Sequence, residues 1–227
     1  MKNPFKNSGL VLILSALIFT VSSCSKDDSP AYNSNNNGNI NIANLQAQIN
    51  SLPKEPLNPA ELASLAFMRE EEKLARDVYI TLFNKWGVKI FTNISNSEQK
   101  HMDAILLLLN KYSITDPAGS NAVGVFTNST LQNFYTQLVA QGNTSVLEAY
   151  KVGATIEDLD IFDLKNPLNA IDNLDIRLVY DNLTKGSRNH MRSFYKNILN
   201  VGGTYTPLYI TQAEFDAIIN SPMETGF

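Results

Sequence analysis

Residues 93–112 read NISNSEQKHMDAILLLLNKY, and the spacing within this stretch decides the fold. Ile94, Ile105, Leu108 and Tyr112 recur at the three- and four-residue steps of one helix face. Glu98 and His101 fall in the same row, three residues apart, so a carboxylate and an imidazole stand side by side among apolar neighbours. A polar pair on the face a helix turns toward its core needs a reason. Partners for that pair stand elsewhere in the chain.

Three further segments show the same pattern. A first helix opens at Asn58-Pro59-Ala60-Glu61, which combines an N-cap, proline at the first helical position and glutamate at the capping-box position, and it runs to Trp86 before Gly87. Its inner face reads Leu65, Met68, Glu72, Ala75, Tyr79, Leu82, Trp86. A third long helix, residues 144–164, presents Val146, Tyr150, Gly153, Glu157, Ile161 and Leu164; a fourth, residues 170–199, presents Ile176, Val179, Leu183, Ser187, His190 and Phe194. A minor helix is expected over 129–141 and a short one over 211–220. Nothing alternates in the manner of hairpin strands, and no repeat of fixed period occurs. The fold class expected is all-α: a four-helix bundle with additional short helices, occupying residues 58–227.

The segment before it reads differently. Residues 1–23 place Lys2 and Lys6 ahead of an apolar run from Leu10 to Val21, the layout of a secretory signal, and the run is too short to span a bilayer. Val21-Ser22-Ser23-Cys24 resembles the bacterial lipobox, which implies cleavage before Cys24, acylation of that residue and a membrane attachment through the lipid. The expected location is a bacterial cell envelope, at the outer membrane or cell surface. Residues 24–57, rich in Ser, Asn, Asp and Pro, read as a flexible tether, within which Ile42, Leu45, Ile49 and Leu52 keep helical spacing and suggest a short docking helix ended by Pro53. The formal charge is −4, and −6 without Lys2 and Lys6, which excludes a nucleic-acid partner on electrostatic grounds. Cys24 is the only cysteine, so no intrachain disulfide is available.

Every long helix thus offers an ionisable group to the core. Burying carboxylates without partners costs several kcal/mol each, on the order of what a positive ion between them would offset. Glu72, Glu98 and Glu157 with His101 and His190 give a mixed oxygen and nitrogen donor set, suited to iron, manganese or zinc. The chain has only two histidines, and both fall on these faces. Taken singly, each residue has a plainer reading. Ser95 and Glu98 form a capping box if the second helix starts late; Glu70-Glu71-Glu72 is an acidic run of the kind that usually faces solvent; a single His190 is often only a hydrogen-bonded core residue.

The segments Glu71-Glu72-Lys73-Leu74-Ala75-Arg76-Asp77-Val78-Tyr79, Ser97-Glu98-Gln99-Lys100-His101-Met102, Gly153-Ala154-Thr155-Ile156-Glu157 and Gly186-Ser187-Arg188-Asn189-His190-Met191-Arg192 resemble the ferritin-like superfamily, and more closely its bacterial DUF2202 family. The resemblance implies a di-iron centre in which Glu72, Glu98, His101 and His190 bind terminally, Glu157 bridges, and Tyr79 is the nearby catalytic phenol. It departs on the fourth helix, where a second Glu-x-x-His is expected and Ser187 stands three residues before His190. Asp160 or Glu71 can supply the missing carboxylate; otherwise one metal binds. Asn189 or Asp77 would orient the ligands. Two functions stay open: a redox-active metal centre acting on oxygen, peroxide or ferrous iron, and a non-enzymatic envelope module presenting Glu70–Glu72 and the aromatics Phe126, Phe134 and Tyr135 to a protein partner.

Overall fold

The computed structural model describes residues 40–226, so the leader, Cys24 and the first part of the tether lie outside the described residues. The elements in chain order are α1 Ile42–Ser51, α2 Pro59–Trp86, α3 Lys89–Tyr112, α4 Ser129–Gly142, α5 Val146–Lys165, α6 Leu174–Asn200 and α7 Gln212–Ile219, with a 3-10 turn at Asn166–Asn169 between α5 and α6. The described residues contain no strand, and the fold class is all-α.

The start of α2 forms as its sequence demands: the Asn58 side chain accepts from the backbone of Ala60 and Glu61, and Glu61 returns a bond to the Asn58 N–H at 2.9 Å. Gly87 ends the helix in the left-handed region at φ 67°, a conformation that costs glycine little. Only Gly87 and Val88 separate α2 from α3, so the two helices must run antiparallel against each other.

Two boundaries differ from the sequence reading. Helix α3 begins at Lys89, earlier than residue 93, and its N-cap Val88 makes no side-chain bond. Glu98 therefore lies in the helix interior, which excludes the capping-box reading. Helix α6 begins at Leu174, not residue 170, because the backbone N–H groups of Asp172 and Asn173 turn to the Glu61 carboxylate at 3.2 and 3.1 Å.

Helix α2 packs on α3, α3 on α6, α6 on α5 and α5 on α2, closing a ring of four long helices. Its apolar interior falls into two layers. One gathers Val78, Leu82, Phe91, Ile94 and Phe194; the other gathers Leu65, Met68, Ile105, Leu108 and Leu183. Between them the four helices place Glu72, Glu98, His101, Glu157, Ser187 and His190, each at most 2 % exposed. The expected docking helix is α1, which seats Leu45 and Ile49 on α3 and α6, each contributing on the order of 1.5–3 kcal/mol by burial. The ammonium of Lys111 donates to the carbonyls of Ile49 and Leu52 at 2.9 and 3.1 Å, so a cation sits at the negative end of α1.

Candidate metal centre

The buried acids of this chain separate cleanly by their partners. Glu70 accepts from the backbone N–H groups of Thr127 and Asn128 at 2.5 and 2.9 Å and so anchors the start of α4. Asp77 pairs with Lys73 and Arg76 and accepts from Gly124 N–H at 2.9 Å, while Arg69 holds Asp116 at 2.8 Å. These contacts staple residues 113–128 onto α2. Asp158 accepts from the phenol of Tyr205 and from the backbone of Tyr209 and Ile210, at 2.9, 3.1 and 2.9 Å. Each of these carboxylates has a structural occupation.

A second group of acids faces histidine or nothing. The Nδ1 atom of His101 lies 2.8 Å from Glu98 Oε2 and 3.2 Å from Glu72 Oε2. The Nδ1 atom of His190 lies 2.9 Å from Glu98 Oε1 and 3.4 Å from Glu157 Oε2. Two three-residue clusters result, Glu72 with Glu98 and His101, and Glu98 with Glu157 and His190, each with its donor atoms within 4.8 Å of one another, close enough to hold a metal ion. The two imidazole rings stack at a centroid distance of 5.5 Å. Helix periodicity explains the convergence. Glu98 and His101 share a face of α3, and α2, α5 and α6 each turn one side chain into the same layer.

The shared residue corrects the sequence reading. The carboxylate common to both clusters is Glu98, one oxygen toward each histidine, whereas Glu157 belongs to one cluster only. The physical reason is position: Glu98 stands three residues before His101 on α3 and also faces His190 across the contact with α6, whereas Glu157 reaches only His190.

Electrostatics in this layer follow from burial. Burial, only partly offset by His101, pushes the Glu72 carboxyl up to about 7. Burial and the Glu98 charge raise Glu157. Glu98 goes the other way: burial opposes its charge, but His190 and His101 outweigh burial and hold its carboxyl well below the usual range. Burial likewise opposes the imidazolium of His190, yet Glu98 and Glu157 lift it to about 10, and Glu98 and Glu72 raise His101 well above the ordinary value. In the metal-free chain, protons on the two rings supply the positive charge that the carboxylates require.

Tyr79 donates its phenolic hydrogen to Glu157 Oε1 at 2.5 Å, and burial next to that carboxylate keeps the phenol protonated. Its ring packs on Phe194 at 5.2 Å. Gly153 makes room for this arrangement: a Cβ there would stand 2.4 Å from the Phe194 ring. Ser187 occupies the position where the sequence reading found a carboxylate missing, and its hydroxyl donates to Asp160. Asp160 and Glu71 belong to neither cluster, but both are buried beside them. Asp160 is raised by burial and by the charges of Glu72 and Glu157.

Other expectations about this region change. Glu70, Glu71 and Glu72 are 3, 2 and 1 % exposed, so the acidic run is not a surface for a partner, and Phe126 is buried as well. Asp77 is engaged by Lys73, Arg76 and Gly124 and orients no ligand, while the Asn189 amide binds the Glu224 carbonyl and ties down the C-terminal segment. The stapling by Arg69, Glu70, Lys73 and Asp77 was not anticipated. Its only signal was the mixture of charges on α2, which reads equally well as a solvated face.

A family model described as an uncharacterized protein domain, DUF2202, matches residues 61–222. The chain is 54 % identical over 178 residues to uncharacterized protein MJ0754 of Methanocaldococcus jannaschii, covering 78 % of this chain and 96 % of that protein. Its fold is similar to the crystal structure of hypothetical protein MJ0754 from Methanococcus jannaschii, with TM-score 0.75 over 76 % of this chain and 99 % of the other. That relative is archaeal, so the family is not confined to bacteria as the resemblance implied. On the matched span and the shared sequence, the chain belongs to the DUF2202 family.

Proposed function

We propose that this protein is a ferritin-like metalloprotein that holds two metal ions, iron before manganese or zinc, in the layer between α2, α3, α5 and α6, and uses them in redox chemistry with oxygen, peroxide or ferrous iron. The observation that carries this reading is the pair of clusters joined through Glu98. The donor set fits such ions: each cluster offers one imidazole nitrogen and carboxylate oxygens, a combination suited to iron, manganese and zinc. Buried polar atoms without hydrogen-bond partners, Glu72 Oε1 and His101 Nε2 among them, lie in the same layer. Such atoms are costly unless something else engages them.

When bound, the metal pair would supply the electron transfer, and the protein's work is done by its own side chains. Glu72 and His101 would hold one ion, Glu157 and His190 the other, and Glu98 is the carboxylate within reach of both. His101 and His190 would have to give up ring protons to serve as ligands, so metal affinity is expected to rise with pH. Tyr79 fixes the Glu157 carboxylate through its short hydrogen bond and keeps a phenol next to the reacting layer. Phe194, Phe91 and Tyr79 close one side of the layer and Met68, Leu65 and Leu183 the other, which excludes water. An envelope location through a lipid on Cys24 belongs to the same proposal and is supported by the Val21-Ser22-Ser23-Cys24 tetrad.

The test is metal content. Elemental analysis of the full-length chain, expressed with iron, manganese and zinc supplied, is expected to give about two ions per chain, lost in the Glu98→Ala/His101→Ala variant. A well-folded wild-type chain without metal would overturn the proposal. Iron or manganese that cycles with peroxide supports the redox function; zinc alone points to a structural centre.

A further inference from the structure

Three buried or half-buried acids take no part in the two clusters and none in stapling the fold: Glu71, Asp160 and Asp163. Glu71 is 2 % exposed and meets no basic, amide or hydroxyl donor; its hydrogen-bonding neighbour is another acid, the Asp163 carboxyl. Asp160 is 5 % exposed; one of its oxygens takes the Ser187 hydroxyl and the other, Oδ1, has no partner. Elsewhere in the described residues the buried acids Glu61, Glu70, Asp77, Asp158 and Asp175 all have partners. Burying Glu71 against other acids and leaving Asp160 Oδ1 without a donor is costly, and a purely structural role does not account for it.

Their placement has a direction. Glu157, Asp160 and Asp163 follow one another on α5 at three-residue steps, and each step turns roughly 60° off the line of the preceding residue. The row therefore starts at the metal layer and winds outward: Glu157 and Asp160 are buried, and Asp163 is half-buried. Asp163 lines a surface cavity of about 390 Å3 together with Phe67, Phe134, Leu159 and Tyr209. Glu71 comes from α2 to stand between the steps. Burial comes first among the causes that raise its carboxyl, followed by the charges of Asp160, Asp163 and Glu72 and by a hydrogen bond with the Asp163 carboxyl. Asp160 in turn feels Glu72 and Glu157 most strongly among its charged neighbours. The acids thus connect the cavity wall to the metal layer without a basic side chain among the causes acting on Glu71 or Asp160.

We propose that Asp163, Glu71 and Asp160 form a transit site for divalent cations, through which ions pass from the surface cavity to the clusters at Glu72 and Glu157. The inference rests on the metal-centre reading above. Oxygen-only donors suit a divalent ion in passage, because they hold it less tightly than the imidazole-bearing clusters beyond. A row of one sign of charge between low-dielectric walls also concentrates cations at its mouth.

Rapid mixing of the metal-free full-length chain with cobalt(II), followed by visible absorption, separates passage from final binding. Glu71→Gln and Asp163→Asn are expected to reach the wild-type amount of bound cobalt but to load at least about tenfold more slowly, with the wild-type advantage shrinking as ionic strength rises. Thermal melts of the metal-free variants check that each is folded; Asp163, at the rim, is the variant least able to disturb the core. Wild-type loading rates in both folded variants overturn the transit site while leaving the metal centre standing. Loss of a bound equivalent in Glu71→Gln also overturns it, since Glu71 is then a permanent ligand. A wild-type chain that takes up no cobalt removes the metal centre and the transit site together.

Discussion

Replacing a buried glutamate by glutamine should have opposite consequences at two positions of this protein. Glu98 lies 2.8 Å from His101 Nδ1 and 2.9 Å from His190 Nδ1, so in the metal-free chain it neutralises two buried rings at once. Removing one member of a buried ion pair costs about 3–5 kcal/mol, and Glu98→Gln leaves the second histidine uncompensated as well. For a domain of this size each kcal/mol moves the melting temperature by about 2–4 °C, so Glu98→Gln is expected to melt about 6–20 °C below wild type. The low end applies if the rings shed their protons in response. Glu71 meets no basic, amide or hydroxyl donor, and its charged and hydrogen-bonding neighbours are carboxyl groups. Burial and the neighbouring acids already push the Glu71 carboxyl toward its neutral form, which Glu71→Gln resembles in shape and charge, so the change should be neutral or stabilising by on the order of 1 kcal/mol. Both variants can be compared by calorimetry at neutral pH after exhaustive chelation. If Glu98→Gln melts with wild type, or if Glu71→Gln falls as far as Glu98→Gln, the sorting of these acids by their partners is refuted.

Three further outcomes can be checked with little more. Gly153→Ala puts a methyl group 2.4 Å from the Phe194 ring and should cost about 1–3 kcal/mol in denaturant melts, with a shift in tyrosine fluorescence as Tyr79 is pushed. Tyr79→Phe removes the hydrogen bond to Glu157 and should weaken metal binding about 10–100-fold at the Glu157–His190 position, read by cobalt titration, while Glu72 and His101 keep their ion. The metal-free protein should be less stable at about pH 8 than at about pH 5. Glu72, raised to about 7, stabilises the fold fully below 4.5 and loses that contribution as pH climbs through 7; His190, raised to about 10, stabilises it below 6.5 and loses that contribution toward 10. Glu98, shifted downward, titrates below this range and does not reverse the slope. A melting temperature that rises between those two pH values would contradict the assigned directions.

Much of the site was legible because periodicity works residue by residue. Glu72, Glu98, Glu157 and His190 interrupt otherwise apolar rows at helical spacing, and all four side chains are buried in one layer. What the sequence hid depends on contacts between distant segments. The start of α3 carries no capping side chain at Val88, whereas Ser95 with Glu98 reads as a capping box and points to a later start. The start of α6 is set by Glu61, more than a hundred residues earlier, through its bonds to Asp172 and Asn173. The role of Glu98 as the shared carboxylate depends on where α3 stands relative to α2 and α6, which no pattern within α3 encodes. Burial of Glu70 and Glu71 was equally hidden, since a run of three acids has the same spelling whether it meets solvent or protein.

That run carries a consequence for how the gene can change. Glu70 holds the backbone that opens α4, Glu71 stands beside Asp160 and Asp163, and Glu72 points into the histidine layer. Successive residues of a helix are about 100° apart, so three adjacent codons specify three different neighbourhoods. Loss or gain of a single codon ahead of them would rotate all three together by that angle, bringing each carboxylate to a neighbour it cannot satisfy. Point substitutions at these positions can be absorbed one function at a time, but a change of length in this part of α2 cannot. Between Ser113 and Asn128 there is no helix to keep in phase, and insertions should fall between the residues that fasten this segment to α2, Asp116, Gly124 and Thr127, and not at them.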